Sequence, residues 1–462
     1  MKRRELINLG FPGTAIGLAL EACAAAARAG QKGEQIRENM RALLADPQSF
    51  ADDPAYGLLA NALLSREPES PPYSFRDDLT YAVWGDDIDP EAHKQMRNAC
   101  RLPVSVAGAL MPDAHLGYGL PIGGVLATEN AVIPYAVGVD IACRVKLTVL
   151  DVPPDRLGAE EGRFEHVLND NTLFGVGGQW PKPQTHAVMD EDWAVTPVTK
   201  ELKDIAWRQL GSSGSGNHFV EFGDIEFGPN RLGIEPGRYL GLVSHSGSRG
   251  PGSRVADHYS RLARDLHPGL PKDLAYLAWL PMDGAGAEYW AAMELMGRFA
   301  SANHAVIHDR VTRAVGARVI YGVENHHNFA WREQHSGREL IVHRKGATPA
   351  GAGVLGYIPG SMAAPGYLVE GLGDPSSLHS ASHGAGRRLS RTKARETTRW
   401  SHVKRVLAER GVKLISAGLD ESPHAYKDIE AVMNAQAALV RRVARFMPRL
   451  VKMAPDGEPA ED

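Results

Sequence analysis

The sequence predicts an α+β fold with a helical appendage at its N-terminus, on three observations. Strong helix formers dominate the first 70 residues. Gly and Pro then become dense, and short apolar runs appear between them. Strands and helices never alternate with the regularity of a doubly wound sheet.

Residues 14–28 and 33–44 use residues of high helix propensity. Pro68, Pro71 and Pro72, set among Glu and Ser, read as a linker. The boundary therefore falls after residue 72: 1–72 is an appendage and linker, and 73–455 the main domain. The apolar runs 104–110, 145–152, 239–244 and 339–342 read as strands. Residues 284–314 read as a long helix. From 390 onward the pattern reads as mostly helical and ends in a helix over 429–450. Arg441, Arg442, Arg445 and Arg449 would form one basic stripe on it. The acidic tail 456–462 reads as disordered.

At 462 residues the chain can bury a large core. Its formal charge of −4 gives no hint of a nucleic-acid partner, but the charge is uneven. Residues 384–453 carry 16 Lys/Arg against 6 Asp/Glu, +10, leaving −14 for the remainder. Such a region is either a phosphate-binding face or a set of solvated basic surfaces. Three cysteines, Cys23, Cys100 and Cys143, argue against a disulfide scaffold and for a reducing compartment. No apolar run reaches membrane length, so no membrane partner is expected and the cytoplasm is the expected location.

The chemistry-bearing residues lie in short glycine-flanked clusters, where loops present them. They are MPDAHLGYGLPIGG at 111–124, with Asp113 and His115; GVDIAC at 138–143, with Asp140 and Cys143; and GSSGSGNHFVE at 211–221. Further along come SHSGSRG at 244–250, ENHHN at 324–328, HRKGAT at 343–348, PGSM at 359–362 and SHGAGR at 382–387. Asp-x-x-Cys can converge on one cation, though taken alone it reads better as a buried structural Cys. The Gly/Ser turn at 211–216 leaves backbone N–H groups free for phosphate, yet lacks the Lys and spacing of a Walker loop. Adjacent His326 and His327 point apart, so at most one is a ligand. Any one histidine is more simply structural. Taken together, the set reads as a divalent metal centre beside a phosphate-rich substrate. Its N, O and S donors suit Mn²⁺ and Zn²⁺ alike.

In this order and spacing, and with AYKD at 425–428, the motifs resemble the RtcB family of RNA ligases over about residues 84–452. The resemblance implies an RtcB-like fold with a central two-metal cleft. It implies Asp140, Cys143, His218, His245 and His327 as metal ligands, the thiolate bridging two Mn²⁺ ions. It implies His383 as the residue that becomes guanylated. Asn217, Phe219, Glu221, Asn328, Ser361, Gly384, Ala385, Gly386, Tyr426 and Lys452 match positions around GTP. Asp113, Arg249 and Lys345 match further cleft positions.

The implied activity joins RNA 3′-phosphate or 2′,3′-cyclic phosphate ends to 5′-hydroxyl ends through guanylated His383. GTP is the co-substrate, and an accessory activating protein is a possible partner. The alternatives are a metal-dependent hydrolase of RNA end phosphates, which would survive loss of His383, and a non-catalytic RNA-end-binding protein, which needs no nucleophile. The chain departs from the family pattern in its N-terminal 70 residues and in Ser382, where many members have Cys. It departs also in the turn 363–367 with Gly366, which bears on nucleotide preference, and in running past Lys452.

Overall fold

The computed structural model describes residues 1–2, 5–6, 9–11, 15–65 and 73–460. The chain divides into two compact units, Met1–Ser74 and Phe75–Asp462. Among the described residues no helix is long and apolar enough to cross a membrane. The expected linker prolines 68, 71 and 72 lie outside the described residues.

The first unit is helical: Ile16–Arg28, Gly33–Ala45 and Gly57–Leu64. Ile16, Ala19, Cys23 and Ala26 recur every three or four residues on one face and are buried, as are Ile36, Met40 and Leu43 on the next helix. Tyr56 closes this small core, and its hydroxyl donates to Gln31 Oε1 at 2.7 Å.

The second unit is built on two sheets. The smaller runs in the order Tyr81–Val83, Ser105–His115, Ile122–Thr128, Arg338–Lys345, Asn328–His335. The larger has eight strands. Its spine runs Leu355–Ile358, Gly366–Gly371, Val440–Met453, Phe219–Phe227, Gly237–Ser246, Arg144–Leu150, Val319–His326, and Lys413–Ser416 pairs alongside Val440–Met453. The helix Ala285–Val315 lays Ile307, Val311 and Val315 against Val220, Phe222 and Leu242 of this sheet. The chain passes between the sheets at one residue, His327, which separates Val319–His326 from Asn328–His335.

The C-terminal end corrects two expectations. The helix expected over 429–450 is a short helix, Ile429–Ala435, followed by a 14-residue strand, Val440–Met453. Ala444, Phe446, Pro448 and Leu450 are buried alternately, which is strand periodicity. Pro448 would break a helix, whereas here it sits beside a register shift between Pro448 and Leu450, where its missing N–H is tolerated. The arginines therefore form no helical stripe. Arg441 pairs with Glu370, Arg442 with Glu430, and Arg449 with Asp224. The tail expected to be disordered is placed as far as residue 460. Ser215 Oγ donates to Pro459 O at 2.6 Å, and Asp456 Oδ2 accepts from Trp400 Nε1 at 3.3 Å.

Candidate metal centre and nucleophile

Strand register gathers the histidines and the thiol. Phe219 pairs with His245, and Arg144 pairs with both Ser246 and His326. Cys143, His218, His245 and His327 thus meet at one end of four strands. His327 N donates to Cys143 O at 3.0 Å, fastening the crossover between sheets to the Cys143 turn. That turn is sharp: Gly138 and Ala142 both take positive φ, 106° and 58°. Asp140 comes so close to the neighbouring loop that a Cβ on Gly247 would lie 2.1 Å from its Oδ1.

Two triads result, Asp140–Cys143–His218 and Cys143–His245–His327, each with its ligand atoms within 4.8 Å of one another. Cys143 belongs to both. Its Sγ lies 3.1 Å from His245 Nε2 and 3.4 Å from His218 Nε2. His218 Nε2 lies 3.2 Å from Asp140 Oδ2, and His245 Nε2 lies 3.2 Å from His327 Nε2.

Hydrogen bonding decides what these atoms are. His218 Nδ1 donates to Ser213 O at 2.9 Å, and His245 Nδ1 to Asn217 O at 3.1 Å. With the proton on Nδ1, each Nε2 carries a lone pair. Burial, first, and then neighbouring histidine rings hold His245 and His327 well below the usual imidazole range, so both are neutral. Burial raises the Asp140 carboxyl, but its polar surroundings, the Arg249 guanidinium among them, outweigh that and hold it below the ordinary carboxylate range. Lone pairs, a thiol and a carboxylate converging in a buried site repel one another unless a cation lies among them. The residues therefore fit divalent metal: Asp140, Cys143 and His218 would hold an ion in one triad, and Cys143, His245 and His327 in the other.

His383 stands next to this centre, its ring 4.9 Å from that of His327. It follows the short strand Ser380–Ser382, which pairs with Ala347–Pro349. Asp113 is fully buried beneath it. Its Oδ2 accepts from His383 Nδ1 at 2.7 Å, from His383 N at 3.1 Å and from Gly384 N at 3.3 Å. The loop can lie this close because Gly386, at φ 73°, has no side chain; a Cβ there would sit 2.1 Å from Asp113 O. The carboxylate fixes the tautomer, leaving a lone pair on His383 Nε2.

A cavity of about 510 Å³ opens on these groups. Asn217, Phe219, Glu221, Asn328, Ser361, Lys345 and Tyr426 line it, as does the His383–Gly386 loop. Burial pushes the Glu221 carboxyl up to about 8 and the Lys345 ammonium down to about 7. Asn328 spends its amide on the frame, accepting from Gly346 N at 2.9 Å and donating to Asp140 O at 3.3 Å. Arg249, at φ 54°, lies behind the centre, its Nη1 3.2 Å from His218 Nδ1.

One residue matched to a nucleotide position, and Gly366 of the changed turn, lie outside the cavity lining. Lys452 does not line the cavity: strand alternation turns Val451 and Met453 toward it, while the Lys452 ammonium donates to Leu168 O at 3.2 Å. Gly366 lies behind the wall, where a Cβ would meet the Tyr357 hydroxyl at 2.1 Å. Sequence reading also missed Glu421, Arg387 and Arg391 as a group. Glu421 accepts from Arg387 Nη1 at 3.3 Å and from Arg391 and the Tyr426 hydroxyl. Glu421 carries no motif of its own; only the tertiary fold brings it to the cavity.

The family model for "tRNA-splicing ligase RtcB" matches residues 95–453. The chain belongs to the RtcB family. It is 34% identical over 389 residues to the RNA-splicing ligase RtcB of Escherichia coli strain K12, covering 76% of this chain and 91% of that protein. It is 33% identical to the tRNA-splicing ligase RtcB of Nanoarchaeum equitans, covering 77% and 90%. For the RtcB protein of Thermococcus kodakarensis the identity is 30%, covering 82% and 96%. The RtcB match begins beyond the first helical unit, and it takes in the larger sheet, all of the smaller sheet but Tyr81–Val83, and every residue of the candidate metal centre.

Proposed function

We propose that this RtcB-family chain is a GTP- and Mn²⁺-dependent RNA ligase acting in the cytoplasm. It joins 3′-phosphate or 2′,3′-cyclic phosphate ends to 5′-hydroxyl ends through guanylated His383. The observation that carries the reading is the 2.7 Å bond from His383 Nδ1 to buried Asp113, beside a cluster fitted for two cations. A hydrolase would not need a histidine held with its second nitrogen bare at the cavity wall.

His383 Nε2 attacks the α-phosphorus of GTP. A P–N bond forms, the bond to the β-phosphate oxygen breaks, and pyrophosphate leaves with the electron pair. Asp113 stabilises the cationic, phosphorylated imidazole by keeping its Nδ1–H bonded. When bound, the divalent ions supply positive charge to the transferring phosphoryl group. The guanylate then passes to the oxygen of an RNA 3′-phosphate, and His383 regains its lone pair. The 5′-hydroxyl of the second RNA attacks the activated phosphate, a phosphodiester forms, and GMP leaves. Phe219 offers an aromatic face to the base, and Glu221, protonated at neutral pH, offers a hydroxyl donor or acceptor.

The test is ligation of a 3′-phosphate RNA to a 5′-hydroxyl RNA with GTP and Mn²⁺, comparing wild type with His383→Ala. Joined product from wild type alone is expected. Cyclic-phosphate opening without joining, undiminished in His383→Ala, would favour an end-phosphate hydrolase instead.

A further inference from the structure

The mouth of the cavity carries large apolar side chains in water. Tyr118 is 66% exposed, Leu116 54% and Tyr276 39%. Leu116 and Tyr118 line the cavity that holds His383. The Tyr118 and Tyr276 rings meet edge to face, with centroids 5.8 Å apart, and Tyr276 rests on Tyr135 at 4.7 Å. The cluster is fixed from behind. Lys345 Nζ donates to Tyr118 O at 2.5 Å, and a Cβ on Gly119 would come within 3.0 Å of Tyr276 O.

Exposed rings held this firmly have no packing role to account for them. Charge surrounds them: the Arg264 guanidinium lies 5.7 Å from the Tyr276 ring centre, and Asp257 lies near Tyr135. Arg388 lines the same cavity, is exposed, and has no ion pair among the described residues. Its neighbour Arg387 is committed to Glu421. An apolar protein partner would find charge at this rim. A single-stranded nucleic acid presents both a π face and a phosphate, which suits an exposed ring and an unpaired guanidinium lining one cavity.

Resting on the ligase reading, we propose that Tyr118, backed by Tyr276, is the stacking platform for the base of the single-stranded RNA end delivered to His383, with Arg388 binding an adjoining phosphate.

The experiment is fluorescence anisotropy of a short single-stranded RNA bearing a 3′-phosphate, without GTP, on the full chain. Wild type, Tyr118→Ala, Tyr118→Trp and Tyr276→Ala are compared, with thermal melting as the control for folding. A second oligonucleotide lacks the terminal base. Tyr118→Ala is expected to weaken binding roughly 5- to 150-fold, Tyr118→Trp to retain it, and the abasic RNA to be indifferent to Tyr118→Ala. The platform is overturned if Tyr118→Ala binds intact RNA within two-fold of wild type, or if Tyr118→Trp loses as much as Tyr118→Ala. It is overturned equally if the abasic RNA weakens as far as the intact one. Failure of wild type to bind RNA overturns the ligase reading too, whereas normal wild-type binding with an indifferent Tyr118 overturns the platform alone.

Discussion

At the scale of residues, the site rests on one carboxylate and one imidazole. Asp113 is wholly buried, and its Oδ2 takes three donors from the His383 loop. Asp113→Asn replaces an acceptor by a group that can present a donor and thereby invite the wrong tautomer of His383. Guanylation is predicted to slow roughly 10²- to 10⁴-fold with little change in melting temperature, by analogy with the same exchange behind a catalytic histidine. A rate within two-fold of wild type would remove Asp113 from the mechanism. Glu221 gives a pH prediction. Burial holds its folded pKa near 8, above the ordinary carboxyl range of the unfolded chain. Its neutral form therefore favours folding below about pH 4.5, and that contribution fades as pH rises to about 8. Glu221→Gln should flatten the fall in melting temperature across this window; an unchanged slope would contradict the assignment. The glycine-flanked motifs of His383, Asp140 and Cys143 singled these residues out only as a set and through their likeness to the RtcB family. They did not disclose that Asp113 serves His383, because 270 residues separate them and only the sheets bring them together.

At the scale of elements, the register of four strands gathers the candidate metal ligands, and the turn 138–143 completes the set. Gly247 is where this arrangement has least room, with Asp140 against its Cα. Gly247→Ala should push the carboxylate aside and weaken divalent-ion retention about 10- to 100-fold, as other disturbances of ligand orientation do. Metal content after dialysis measures it, and full retention would contradict it. The strand Val440–Met453 shows where pattern reading failed. Arginines at 441, 445 and 449 suit a helix turn as well as a strand face, so spacing alone could not choose. Pro448 and the alternating burial choose the strand. Its ion pairs are only partly exposed, the Arg441 and Glu370 side chains by 48% and 21%, and Glu370→Ala should cost on the order of 1 kcal/mol in denaturant unfolding. Strand alternation also removes Lys452 from the cavity, which a motif match has no means to see.

At the scale of the whole molecule, part of the basic charge of residues 384–453 is paired within the fold. Arg387, Arg391 and Arg395 are tied to Asp420 and Glu421, and three strand arginines have acidic partners. Arg388 remains for a phosphate, so Arg388→Ala should reduce the slope of log affinity for RNA against log salt by about one. An unaltered slope would show that this guanidinium meets no phosphate. The first helical unit has its own core, and Phe75–Asp462 contains every residue of the site. The α+β class and the helical start were legible from composition and propensity, whereas the order of the strands was not, since it depends on pairings remote in sequence. The central claim is that His383 Nε2 is a nucleophile, and the direct measurement is transfer of label from α-labelled GTP with Mn²⁺. Acid-labile, alkali-stable label on a single peptide containing His383, absent from His383→Ala and slowed in Asp113→Asn, is the predicted result. Label that persists in His383→Ala, or none on wild type with any divalent metal, would contradict it.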